Sequence, residues 1–259
     1  MRYHLEALKD TFLIYKEKNI ILRAAFLTYL TVLNITPFFY FILFITSKIP
    51  FIHSQIPKMK KIVMDIIPGY SNEILSYFDV FMKNISNLAM LNSIIFSLSI
   101  ISLVLAFFTS VEAILSKNKK SNPFTVLIFM LLFILLASLT ISIVITVNIL
   151  IPIFIPNIVN RIYVQILPFL IWFIVLSILF YLSKTKEIKI KSTLISSFST
   201  TILIFGLKII LGLYFHFFSY NKIYGAVSII PSLLLWLFFF WNILLLGVAF
   251  EKAVNKKFT

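Results

Sequence analysis

Six long apolar stretches divide this chain, at residues 24–46, 92–115, 124–150, 164–183, 193–216 and 225–250. A helix needs about 20 apolar residues to cross a hydrocarbon core, and each stretch reaches that length. The backbone must satisfy its own hydrogen bonds in lipid, so the runs predict helices. Barrel strands would alternate apolar and polar positions, and these runs are continuous. Before the first run, Tyr3, Leu5, Leu8, Phe12, Ile14 and Tyr15 alternate with Arg2, Lys9, Lys16, Lys18 and Arg23. This predicts an amphipathic helix over 1–23, lying on the membrane surface. It does not read as a cleaved leader, because the following run is too long and no small-residue cleavage site ends it. Between the first two runs, residues 47–91 hold Pro50, Pro57, Pro68 and Gly69 among periodic apolar positions. Two short amphipathic helices capping the bundle from outside are expected there. The other connections are short: Asn122-Pro123 suits a helix start, and Pro152 and Pro156 suit an exit. The predicted fold is therefore an all-α polytopic membrane bundle of about six helices over 24–250, with a tail over 251–259.

Composition narrows the class. Hydrophobic residues make up 61% of the chain and charged residues 12%, and the mean hydropathy is +1.04. Soluble domains are about half apolar and about a quarter charged, so lipid must be the main solvent for these side chains. The chain has no cysteine, which excludes disulfides and thiolate chemistry.

Net charge is +14, and its placement decides its meaning. Most of the 23 Lys and Arg fall on one side of the expected topology. That side carries the five of the N-terminal segment, then Lys117, Lys119 and Lys120, then Lys184, Lys186, Lys189 and Lys191, then Lys252, Lys256 and Lys257. The opposite side carries Lys48, Lys58, Lys60, Lys61, Lys83, Arg161 and Lys222, mostly in the long connection where the charge rule is weaker. Both termini are thus expected in the cytoplasm. This also accounts for the basic pI without a nucleic-acid partner, the other source of such charge.

Two stretches carry a resemblance. Arg23-Ala24-Ala25-Phe26-Leu27-Thr28-Tyr29 continues to Asn34-Ile35-Thr36-Pro37, and Tyr220 to Val227, with Tyr224 and Gly225, continues through Trp236 to Leu246-Gly247-Val248-Ala249-Phe250-Glu251. They resemble the first and last spans of the YihY/BrkB inner-membrane family, formerly labelled ribonuclease BN. The resemblance covers nearly the whole chain, with specific motifs at its two ends. It departs at the second span, where Val111–Lys117 replaces the Leu-Asn and Trp element common in members. The resemblance implies a bacterial inner-membrane protein of the cell envelope, and links to serum resistance and envelope lipids have been suggested for some members.

The residues themselves offer no catalytic constellation. His4, His53 and His216 are scattered and the nine acidic residues dispersed, whereas catalysis needs converging ionisable groups. An enzyme is not expected, nor is a cofactor or metal. Lys208, inside the fifth run, is the most informative side chain. Counted from Thr193 it lies about 22 Å along a helix, where an ammonium costs about 2.5–3.5 kcal/mol. Two readings stand: a bundle-facing cation that meets an anionic ligand, or a lysine snorkelling to the outer interface. Asn34 and Thr36 come near it in depth, and Pro37 and Pro231 interrupt the first and last spans, freeing the carbonyls of Leu33 and Val227. Glu112 and Glu251 read as interfacial residues beside following lysines, and Trp241 and Asn242 as packing groups.

These residues suggest handling of an anionic or amphipathic substrate, such as a lipid, with membrane lipids as partners. A non-catalytic scaffold for envelope proteins, or a homo-oligomer, is the alternative. The topology has a direct test in a chain without native cysteines. Cysteines placed at Lys119 and Glu187 should resist an impermeant thiol reagent applied to intact cells, and labelling from outside would reverse the orientation.

Overall fold

The computed structural model describes residues 2–48, 98–116, 159–183, 187–218 and 229–258, together with Ile95. They form helices α1 (Arg2–Glu17), α2 (Ile20–Lys48), α3 (Leu98–Leu115), α4 (Val159–Ser183), α5 (Ile190–Phe218) and α6 (Ile229–Phe258), with no strand among the described residues. The helical membrane architecture expected from the apolar runs is the one observed. By length and composition α3, α5 and α6 can each cross a membrane. The predicted span 124–150, the cap 47–91, and the connections at Asn122-Pro123, Pro152 and Pro156 lie outside the described residues.

Two compact units divide the chain, one of residues 1–29 and 103–259 and one of residues 30–102. In the smaller, Asn34 is buried and its Nδ2 donates to the Ser99 carbonyl at 3.1 Å. The backbone of α2 stays helical through Pro37, and that of α4 through Pro168. A proline in a membrane helix removes one i−4 bond without ending the helix.

In the larger unit α6 is the hub. From Phe240 to Asn255 none of its residues is exposed, because α1, α5 and the end of α3 all pack on it. A 30-residue helix is about 45 Å long, well over the about 30 Å of a hydrocarbon core. The segment 251–258 continues α6 as helix. Trp241 is buried with its ring 6.0 Å from Phe107 of α3, so it packs as expected. Trp172 of α4 meets Phe240 edge-on at 5.8 Å, and Phe169 of α4 meets Phe205 of α5 at 5.3 Å.

The helix ends are closed by specific groups. Asn19 ends α1 at φ 50, a left-handed conformation that asparagine tolerates better than most residues. Arg23 Nε donates to the Lys18 carbonyl at 3.0 Å, which ties the first turn of α2 to the end of α1. Lys252 Nζ donates to the Ile114 carbonyl at 3.0 Å and to Ser116 Oγ at 2.9 Å, placing a cation at the negative C-terminus of α3. Asn255 of α6 serves the start of α5: its Oδ1 accepts from Lys189 N at 2.9 Å, and its Nδ2 donates to the Glu187 carbonyl at 3.2 Å.

α1 docks antiparallel along α6. Glu6 pairs with Lys257 at 2.9 Å, and Tyr15 Oη donates to Asn242 Oδ1 at 2.7 Å. Both terminal segments therefore lie at one end of this unit. The hydrogen bond and the charge of Lys257 hold the Glu6 carboxyl below the usual carboxylate range. Ala7 and Thr11 face the protein, while Leu8, Phe12 and Leu13 are each more than half exposed. Small residues thus bring α1 close to α6, and its large apolar side chains point outward.

α5 and α6 approach closely at Gly247. A Cβ there would lie 2.1 Å from Thr200 Oγ1 and 2.9 Å from Phe180 Cζ. Small residues at helix contacts let backbones meet in lipid, where packing and not water exclusion drives association. Gly247→Ala should therefore overpack the seam and lower stability by about 1–3 kcal/mol, seen as an earlier melting transition in detergent. Thr200→Ala in the same chain should recover part of the loss; equal melting of the wild type and Gly247→Ala would refute the close contact.

Candidate functional site

α1 does not seal against its neighbours. Between α1, α6 and the start of α2 lies a cleft of about 430 Å³ lined by Phe12, Tyr15, Ile21, Phe239, Asn242 and Leu246, among others. Between α1, α5 and α6 lies a second, of about 330 Å³, whose lining includes Leu8, Thr11, Ser199, Thr200, Leu246 and Gly247. The polar groups in these walls are already engaged. Tyr15 donates to Asn242, whose Nδ2 in turn donates to the Phe238 carbonyl at 3.3 Å. Thr11, Ser199 and Thr200 each donate to a carbonyl one turn back in their own helix, at 2.7, 2.9 and 2.7 Å. Hydroxyls bonded this way present little polarity to a neighbour. Both clefts therefore suit an apolar chain better than a sugar or a nucleotide. At the edge of the first cleft, Lys16 Nζ sits 4.7 Å from the Phe12 ring centroid, a cation–π distance.

Next to the second cleft runs a buried polar seam. Glu251 is 0% exposed, and Thr193 Oγ1 donates to its Oε1 at 2.6 Å. One helical turn away Ser192 Oγ donates to Asn255 Oδ1 at 3.3 Å. Ser196, one turn after Ser192 on the same face of α5, is fully buried, and its hydroxyl has no hydrogen-bond partner among the described residues. The carboxylate sits beside the first turns of α5, where the helix dipole favours negative charge. The interfacial reading of Glu251 is corrected here: α6 runs on to Phe258 with α5 packed along it, so Glu251 is enclosed while Lys252 reaches the end of α3. A sequence signal existed. Ser192, Thr193, Ser196, Ser197, Thr200 and Thr201 recur at helical spacing, opposite Gly247, Glu251 and Asn255 spaced by four.

The residues singled out from sequence are placed as follows. Lys208 is exposed on α5 beside exposed Ile209 and Ile210, about 27 Å along the helix from Ile190, and it lines neither cleft. Pro231 is exposed in the first described turn of α6. Asn34 belongs to the smaller unit and Lys208 to the larger. The side chains of Thr36 and Pro37 lie outside the described residues, as do Tyr224, Gly225 and Val227. Of the motif residues, Arg23 braces the α1–α2 turn and Gly247 admits α5. Tyr29 is 59% and Trp236 37% exposed, and the Trp236 ring stacks on Phe240 at 5.4 Å. Tyr15, Lys16, Leu246 and Thr193 carry the site without having been singled out. Among the described residues no three His, Asp or Glu side chains converge as metal ligands would.

Comparison with known proteins adds the following. The family model described as "Virulence factor BrkB" matches residues 11–259. A UPF0761 membrane protein of Actinobacillus pleuropneumoniae serotype 5b is 22% identical over 253 residues, covering 93% of this chain and 90% of its own. One from Rhodospirillum centenum is 29% identical over 90% of this chain and 54% of its own. UPF0761 membrane proteins of Coxiella burnetii are 32% identical over 90 residues, 34% of this chain, so the chain spans about a third (32%) of their length. No solved structure matches.

The Thr193–Glu251 bond can be weighed directly. Thr193→Val should leave the buried carboxylate without that donor and cost about 1–3 kcal/mol, whereas Thr193→Ser should melt as the wild type does. Indistinguishable melting of all three would mean the seam does not depend on this bond.

Proposed function

This chain belongs to the BrkB family of integral membrane proteins, and from that premise we propose that it handles an anionic, amphipathic envelope substrate such as a lipid. The supporting observation is the first cleft, with apolar walls, internally satisfied polar groups and the Lys16 ammonium at its edge. An apolar tail would pack against those walls, and an anionic headgroup would meet Lys16. Lys9 and Lys16 lie two turns apart on the exposed side of α1, so the helix offers a cationic edge to an anionic headgroup. In this reading the termini face the cytoplasm, the membrane is the bacterial inner one, and Lys208 offers a second cation far along α5. Transport of the substrate would follow if α1 swings away from α6. One ion pair that holds α1, Glu6–Lys257, is partly exposed.

The test is native mass spectrometry of the protein extracted gently from its own membrane, beside Lys16→Gln and Lys208→Met. Anionic phospholipid should stay with the wild type. Its retention should fall about tenfold in Lys16→Gln, the loss of one charge-assisted hydrogen bond. Equal retention in the wild type and Lys16→Gln would instead favour a scaffold surrounded by bulk lipid.

A further inference from the structure

Leu246 lines both clefts, and the arrangement around it has a consequence for specificity. The first cleft follows α6 from Phe238 to Leu246, and the second follows it from Leu246 to Phe250. α1 borders both, through Phe12 and Tyr15 in the first and through Leu8 and Thr11 in the second. Their floors share one chemistry, since the Asn242 amide in the first and the Thr11, Ser199 and Thr200 hydroxyls in the second are already hydrogen-bonded. A chain entering past Lys16 and Phe12 meets apolar walls as far as the half-buried side chain of Leu246, which the second cleft shares. Beyond Leu246 the second cleft runs past Gly247, against which Thr200 lies.

Resting on the lipid-handling reading above, we infer that Leu246 is the residue that sets acyl-chain length, partitioning one long groove into an occupied cleft and a spare one. The occupant is the acyl chain of an anionic phospholipid. Its tail is selected by the apolar walls and its head by Lys16 at the mouth. A chain that fits the first cleft ends against Leu246. A longer one must displace that side chain or leave methylenes outside the cleft.

The experiment loads the purified full-length protein with an equimolar mixture of phosphatidylglycerols of stepped acyl length. Native mass spectrometry then reads which lengths are retained by the wild type, Leu246→Ala and Leu246→Phe. The wild type should show a cut-off in length. Leu246→Ala should move the cut-off to longer chains, and Leu246→Phe should move it to shorter ones. The two variants act in opposite directions, so a general loss of packing cannot imitate the result. Retention with one length profile in all three proteins would overturn the assignment of Leu246 and leave the lipid reading standing. Retention of no phosphatidylglycerol by the wild type would overturn both.

Discussion

The larger unit depends on the contact between α5 and α6, where a glycine lets two backbones meet and a buried carboxylate must be satisfied beside it. The two requirements are linked. Gly247 brings Thr200 within contact, and that approach also brings Thr193 within hydrogen-bond reach of Glu251 and Asn255 within reach of Lys189 and Ser192. Apolar burial cannot drive this association in lipid, since acyl chains are as apolar as leucine. Packing and hydrogen bonds between helices must do so, and the seam supplies both. α5 spends the hydroxyls of Ser197, Ser199, Thr200 and Thr201 on its own backbone, and directs those of Ser192 and Thr193 to α6.

Because α6 is enclosed by this seam and by α3, it gives α1 a firm surface to lie on. α1 uses that surface differently from a core helix. Its small residues face α6, its large ones face outward, and its charges pair with the end of α6. That geometry leaves space beside it, and the two clefts are the result. A tightly interdigitated α1 would have closed them. The short left-handed turn at Asn19, braced by Arg23, sets the angle at which α1 returns along the bundle.

Some of this was legible in the chain alone. The apolar runs predicted the helices because a membrane core has one length scale and one backbone solution. The amphipathic spacing before Arg23 predicted α1, and Trp241 was read as a packing group and is one. The motif at Gly247 marked a contact point. Other features were not legible. Glu251 precedes a lysine near the end of an apolar run and reads as interfacial; it is buried because α6 continues for two more turns with α5 alongside. Lys208 drew attention as a charge in an apolar run, yet nothing in a single helix says which side faces the bundle. The structure places it among exposed aliphatic side chains.

The sequence by itself determined that this is a helical membrane protein, because hydropathy and length are properties of segments. It also determined which residues were small enough, or polar enough, to join helices. Only the tertiary structure decided which of them meet: Thr193 with Glu251, Asn255 with the start of α5, Tyr15 with Asn242, and Leu246 with both clefts. Those pairings join residues far apart in the chain. They depend on the rotation and offset of one helix against another, and these are set by close packing over whole faces, not by the composition of either helix.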